Sequence, residues 1–130
     1  MNELCTVTYN NKTYTLTITN IEQGMFSESF MLPANISDTV YTFSGEGCDI
    51  KRGSLTVHTD KSYLADNSLP KRIYDTFRKI QNTDEPQYAG EDKDGGNNLY
   101  VIDNYRILSD KTNGAIKRIE STDRKFVMQF

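Results

Sequence analysis

Apolar residues recur at every second position along most of this chain, the period of strands with one buried face. Cys5, Val7 and Tyr9 alternate with Thr6 and Thr8, and Tyr14, Leu16 and Ile18 alternate with Thr13, Thr15, Thr17 and Thr19. Between them, Asn10-Asn11-Lys12 tolerates the left-handed conformation of a tight turn, so the two runs predict a β-hairpin with an apolar face and a threonine face. Threonine suits an exposed strand by its β-branched shape alone, and that account is preferred to binding of ordered water, ice or sugars. After a turn at Asn20–Gly24, Phe26, Phe30 and Leu32 share a face with Glu28, until Pro33 ends the run because it cannot donate to a ladder. Val40–Ser44 and Ser54–Thr59 read as further strands, separated by Gly45, Gly47 and a turn centred on Lys51-Arg52-Gly53.

The period then changes. Leu69, Ile73, Phe77 and Ile80 recur at helical spacing, with Asn67-Ser68 as an N-cap and Pro70 in the first turn, which predicts one amphipathic helix over 68–82. Residues 83–98 (TDEPQYAGEDKDGGNN) show neither period and read as a long acidic loop rich in Gly and Asn. Leu99–Ile102, Tyr105–Ser109, Ala115–Glu120 and Lys125–Phe130 return to alternation, with Asn113-Gly114 as a hairpin signal and a turn at Ser121–Arg124. The pattern predicts one α+β domain over 1–130, a mainly antiparallel sheet of about eight or nine short strands with one helix packed on it. Phe126, Met128 and Phe130 share a face of the last strand, and the first and last strands are expected at sheet edges, where they offer a surface to another chain.

Scarce residues narrow the chemistry. One histidine and two cysteines, with no CxxC or HxxxH spacing, fall short of the four ligands of structural zinc. His58 lies opposite Leu55 and Val57 in its alternating run and reads as a solvent-facing strand residue; a general base acting with a nearby acid and Arg52 is the enzymatic alternative. Cys5 is expected in the core and Cys48, in a glycine-rich turn, at the surface. A Cys5–Cys48 disulfide stays open as an alternative to two reduced thiols. The opening MNELCTVTYNN has no basic stretch followed by an apolar segment, and no apolar run approaches the roughly 18 residues of a span. The expectation is a cytoplasmic protein without membrane attachment, in which Asn11-Lys12-Thr13 and Asn35-Ile36-Ser37 are accidental matches to the glycosylation pattern.

Charge is segregated although the 130 residues carry only −3 overall. Residues 1–50 hold one base and six acids, 51–80 seven bases and three acids, 81–103 one base and six acids, and 104–130 six bases and three acids. Lys71, Arg72, Arg78 and Lys79, with Tyr63 and Tyr74 nearby, could meet a phosphate backbone if Lys117, Arg118, Arg124 and Lys125 fold alongside. Asp92, Asp94, Asn98 and Asp103 fall at the first, third, seventh and twelfth positions of a calcium-like loop. That loop lacks the sixth-position glycine and a fifth-position ligand, so no metal and no cofactor is implied.

These features point away from an enzyme and towards a small interaction module whose partner is another protein, of the inhibitor or immunity type or an accessory of a phage or bacterial assembly. Tyr88, Glu91, Asp92 and Asp94 in the acidic loop and Phe126, Met128 and Phe130 on the end strand are its candidate contacts, and pairing of end strands would also give a homo-oligomer. A nucleic-acid binder using the basic residues above is the alternative, and a small hydrolase built on His58 ranks below it.

Overall fold

The computed structural model describes residues 2–21, 25–45, 47–61, 64–65, 68–93 and 95–130. Strands β1 (Asn2–Tyr9), β2 (Lys12–Ile21), β3 (Met25–Leu32), β4 (Thr39–Ser44), β5 (Gly47–Arg52) and β6 (Leu55–Thr59) precede helix α1 (Leu69–Gln81). Strands β7 (Gln87–Glu91), β8 (Asn97–Ile102), β9 (Tyr105–Asp110), β10 (Ile116–Ser121) and β11 (Phe126–Gln129) follow it. All join one antiparallel sheet in the order β6-β5-β4-β3-β2-β1-β11-β10-β9-β8-β7. Each half of the chain is thus a meander, and the two meanders meet where β1 pairs β11.

The α+β class is as the periodicity predicts, with eleven strands rather than eight or nine. The two additional strands lie in stretches dense in glycine. In β5, Cys48 and Ile50 alternate with Asp49 and Lys51, but glycines on either side resemble turn signals. In the segment expected to be one loop over 83–98, Gln87–Glu91 is a strand because β8 pairs with it. Its register shifts between Tyr88 and Glu91, around Gly90 at φ 102°, a pattern invisible to a period-of-two search.

Placement of the end strands is the main correction. β1 and β11 are central neighbours, with Val7 opposite Met128 and Tyr9 opposite Phe126, and the sheet ends at β6 and β7 instead. The inner face carries Cys5, Val7, Leu16, Ile18, Phe26, Phe30, Phe43, Cys48, Ile107, Ile119, Phe126 and Met128, all buried. Helix α1 lies across this face, burying Leu69, Ile73, Tyr74 and Thr76. Tyr74 stacks on Phe43 at 4.4 Å and 9°, while Phe77 meets both Phe26 at 5.2 Å and Phe130 at 6.0 Å. The helix therefore binds one meander to the other across the β1–β11 seam. Ser68 stands at the N-cap position, where its carbonyl accepts the first helical bond from the Arg72 N–H at 2.9 Å, but its hydroxyl makes no capping bond; Asn67, expected beside it, lies outside the described residues.

Both cysteines are free and buried, which corrects the expected exposure of Cys48 and excludes a disulfide between them in this fold. Cys5 is on β1 and Cys48 on β5, with three strands between. Burial pushes their thiols up to about 12 and about 11 respectively.

Glu28 shares this inner face, opposite Ile18 and Tyr41, and is fully buried. Neither carboxyl oxygen has a hydrogen-bond partner among the described residues. Desolvation first, and the negative charge of Asp75 second, hold its pKa well above the ordinary 4.5. The folded state then retains a proton that the unfolded chain releases above its ordinary value. Glu28 therefore costs no ionisation below that value, and stability falls as pH rises toward the folded-state pKa, by about 1.4 kcal/mol per unit. Glu28→Gln should flatten the dependence of urea-unfolding stability on pH above the ordinary carboxyl range. Glu28→Met should flatten it equally and raise stability at neutral pH, by roughly 1–3 kcal/mol, because no polar atom is left unpaired. An unchanged slope in both variants would show that Glu28 is not the group responsible.

Candidate functional site: the open sheet edges

Hairpin β5–β6 is closed by Gly53 and Ser54, with Gly53 at φ 61° in the first central position, the place a type II′ turn reserves for glycine. Arg52 faces Leu55 across that turn, Ile50 faces Val57, and Cys48 faces Thr59, in an unshifted ladder. A two-residue turn makes the Arg52–Leu55 pair hydrogen-bonded, and alternation makes Ile50–Val57 and Cys48–Thr59 hydrogen-bonded too. The backbone N–H and C=O groups of Thr56 and His58 therefore point away from β5, toward the open side. No described strand lies on that side.

The side chains of β6 divide as the alternation requires. Leu55 and Val57 project to the inner face, beside half-buried Ile50 and Tyr41, but stay 73% and 57% exposed. On the outer face, His58 Nδ1 contacts Asp49 Oδ1 in an exposed cross-strand pair, with Thr56 one position along. His58 thus faces solvent, as its alternation predicts. Its described partner is this carboxylate, with no nucleophile hydrogen-bonded to either, so the pair lacks the three-member arrangement of a hydrolase among the described residues. Sequence alternation placed Leu55 and Val57 on one face but held no signal that α1 would leave them uncovered.

The opposite edge, β7, carries the acidic candidates. Tyr88 is 55% exposed, with its ring 5.7 Å from Tyr100 in an edge-on pair. Glu91 is ion-paired with Lys111, whose pKa it raises chiefly through that hydrogen bond. Asp92 accepts from the side-chain amide of Asn97 at 2.9 Å and from its backbone N–H at 3.2 Å, and the first of these leads in lowering its pKa. Asp94 lies outside the described residues. The calcium-like spacing is not gathered in space: Asp103 sits beyond the far end of β8 and is paired with Lys79 at 3.2 Å.

Phe126 and Met128 are both 0% exposed at the β1–β11 seam, so the fold withdraws them from any partner, and Phe130 is half-buried against Phe77. The basic residues are divided too. Lys71 pairs with Asp75 at 3.1 Å, and Arg78 is exposed on the outer side of α1. Arg118 lies on the outer face of the sheet, paired with Glu120 at 3.0 Å, and Lys117 is exposed next to it at a register shift. Sequence numbering grouped these residues; the sheet separates the helix from Arg118. Tyr74, expected near the basic group, is buried under the helix, and Tyr63 lies outside the described residues.

Arg72 is the clearest case of a charge serving the core. Its guanidinium lies 4.9 Å from the Phe126 ring centre, 5.7 Å from Tyr105 and 5.9 Å from Tyr9, while Nε donates to the Tyr105 hydroxyl at 2.9 Å. Thr76 donates to the Arg72 carbonyl at 2.7 Å and lies 3.2 Å from the same Tyr105 hydroxyl. Two recesses flank this region. An apolar one of about 280 Å³ is lined by Ile80, Pro86, Tyr100, Ile102, Ile107, Ser109, Gly114 and Ile116. A polar one of about 430 Å³ lies between two hairpin turns, lined by Thr8, Asn10, Asn11, Asp123, Arg124 and Lys125.

Arg72→Ala should lower urea-unfolding stability by roughly 1–3 kcal/mol, through lost ring contacts and the lost charge-assisted bond to the Tyr105 hydroxyl, which keeps only Thr76 beside it. Arg78→Ala, at an exposed position of the same helix, should stay within about 0.5 kcal/mol of the parent. Equal effects would mean that Arg72 is an ordinary surface charge.

No helix among the described residues is long and apolar enough to cross a membrane. The chain matches no protein-family model and no curated protein sequence. Among solved structures it is similar to a LolA superfamily protein from Nitrosomonas europaea, with a TM-score of 0.41 and 11% sequence identity, over 96% of this chain and 64% of that one.

Proposed function

We propose that this chain is a small protein-binding module that takes up an extended segment of a second polypeptide along β6. The observation that carries the reading is the unshifted, uncovered ladder of β6, whose outward backbone groups at Thr56 and His58 flank the exposed side chains of Leu55 and Val57. Strand addition of this kind derives affinity from main-chain hydrogen bonds and selectivity from alternate side chains. Soluble proteins protect such edges with charge, proline or a bulge. β7 has its bulge, whereas Leu55–Thr59 contains no Lys, Glu, Asp or Pro.

The hairpin end of the edge is basic, through Lys51 and Arg52, so a partner segment carrying a carboxylate at that end is favoured. Inner-facing partner residues would lie beside Leu55, Val57 and Ile50 and should be apolar. An inhibitor, an immunity-type protein or an assembly accessory would use an edge in this way. The nucleic-acid alternative has less support, because its basic residues are spread over two faces and several are engaged internally.

A library of eight-residue peptides selected on the wild-type protein should yield sequences that alternate apolar and polar residues, with an acidic residue toward the Arg52 end. Thr56→Pro removes an outward N–H without touching the β5 ladder, and should weaken these peptides at least tenfold while leaving the circular dichroism unchanged. Peptides that bind wild type and Thr56→Pro equally would rule out the β6 edge.

A further inference from the structure

Resting on the reading of β6 as the binding edge, we infer that its occupant is a second copy of the same strand, paired antiparallel about a two-fold axis through Val57. The strand Leu55–Thr59 has five residues, so Val57 is its centre. Antiparallel self-pairing about that centre places Val57 opposite Val57 of the copy, Leu55 opposite Thr59, and Thr56 opposite His58.

The hydrogen-bond phase of the hairpin fits this register. Thr56 and His58 are the residues whose N–H and C=O groups face outward, and the self-pairing sets these two against each other in both directions, giving four main-chain hydrogen bonds. Val57 then falls in the non-hydrogen-bonded position on the axis, where facing residues are closest, with Cα atoms about 4.5 Å apart. A register shifted by one residue would turn Val57 to the wrong face of the copy.

Side chains agree with the backbone. Tyr41, Ile50 and Val57 form one register row on the inner face, and the axis continues that row through Val57, Ile50 and Tyr41 of the copy. Leu55, at 73% the most exposed large apolar side chain among the described residues, gains a neighbour in Thr59 and its methyl group. The charges are arranged to match. Lys51 and Arg52 lie at the hairpin end of the edge, and Asp49 and Asp60, with Lys61 next in sequence, lie at its other end, so antiparallel pairing turns the two basic residues of each copy toward the carboxylates of its mate. The alternative of β6 on the β7 edge of a copy meets the shifted register around Gly90, and only Gln87, Tyr88 and Glu91 of β7 hold ladder positions. An isologous pair also closes on itself, whereas a β6-to-β7 contact would continue into a ring or fibre.

Sedimentation equilibrium of the wild type from about 1 µM to about 1 mM should show a monomer–dimer equilibrium. Thr56→Pro and Val57→Lys should each weaken it at least tenfold, the second by setting two ammonium groups against each other on the axis. Under mild oxidation, Val57→Cys should form a covalent dimer, because the Cα spacing at the axis suits a disulfide. Leu55→Cys, which faces Thr59 in this register, should not. A dimer that survives both Thr56→Pro and Val57→Lys, or equal cross-linking of the two cysteine variants, overturns the pairing. A wild type that remains monomeric to about 1 mM overturns it as well. In that case the peptide selection decides the parent reading: continued discrimination against Thr56→Pro keeps β6 as the binding edge, and its loss removes both.

Discussion

The pairing of β1 with β11 is the contact on which the rest of this structure depends. It joins the first strand of the chain to the last, so two meanders that could each end in solvent become one sheet of eleven strands. Val7, Met128, Tyr9 and Phe126 sit on this seam, and α1 crosses the same inner face with Tyr74 on Phe43 and Phe77 on Phe26 and Phe130. A ladder between chain ends has a high loop-closure cost, so it must be offset by apolar burial at the same place. Phe126, Met128 and Val7, all 0% exposed, supply that burial.

The two polar groups in this core illustrate opposite solutions to one problem. Arg72 enters an aromatic setting but keeps a hydrogen bond to Tyr105, and its charge rests against three ring faces. Glu28 enters an apolar one without a partner among the described residues, and stays protonated because ionising it there would cost more than retaining the proton. The first arrangement steadies the seam. The second makes the stability of the inner face sensitive to pH, and burial on the same face also raises the thiols of Cys5 and Cys48 and the Tyr41 hydroxyl.

Closing the sheet at β1–β11 also decides where it is open. With β1 and β11 paired to each other, the open edges among the described strands fall on β6 and β7, on either side of the connection through α1. These edges differ in kind. β7 is bulged, its Glu91 engaged with Lys111 and the following Asp92 with Asn97. β6 is regular and neutral, with apolar side chains uncovered by the helix. An asymmetry of this sort favours recognition through one edge and protection of the other.

Strand and helix positions follow from local pattern, and the alternation at Cys5–Tyr9, Tyr14–Ile18 and Tyr105–Ser109 and the helical spacing from Leu69 to Ile80 suffice to place them. The inward direction of Phe126 and Met128 and the outward direction of His58 follow from the same period. Strands β5 and β7 escaped that reading because glycines beside or within them imitate turns, and pairing with β4 and β8 rather than local sequence makes them strands. No local pattern reports which strands become neighbours. Phe126 and Met128 therefore looked like an apolar end seeking a partner, and Arg72 looked like one of a basic row. Periodicity determined which face each side chain takes, since that is a property of backbone geometry. Only the tertiary structure decided which faces and edges are covered, because coverage depends on the long-range closure of β1 on β11 and on the reach of a single helix.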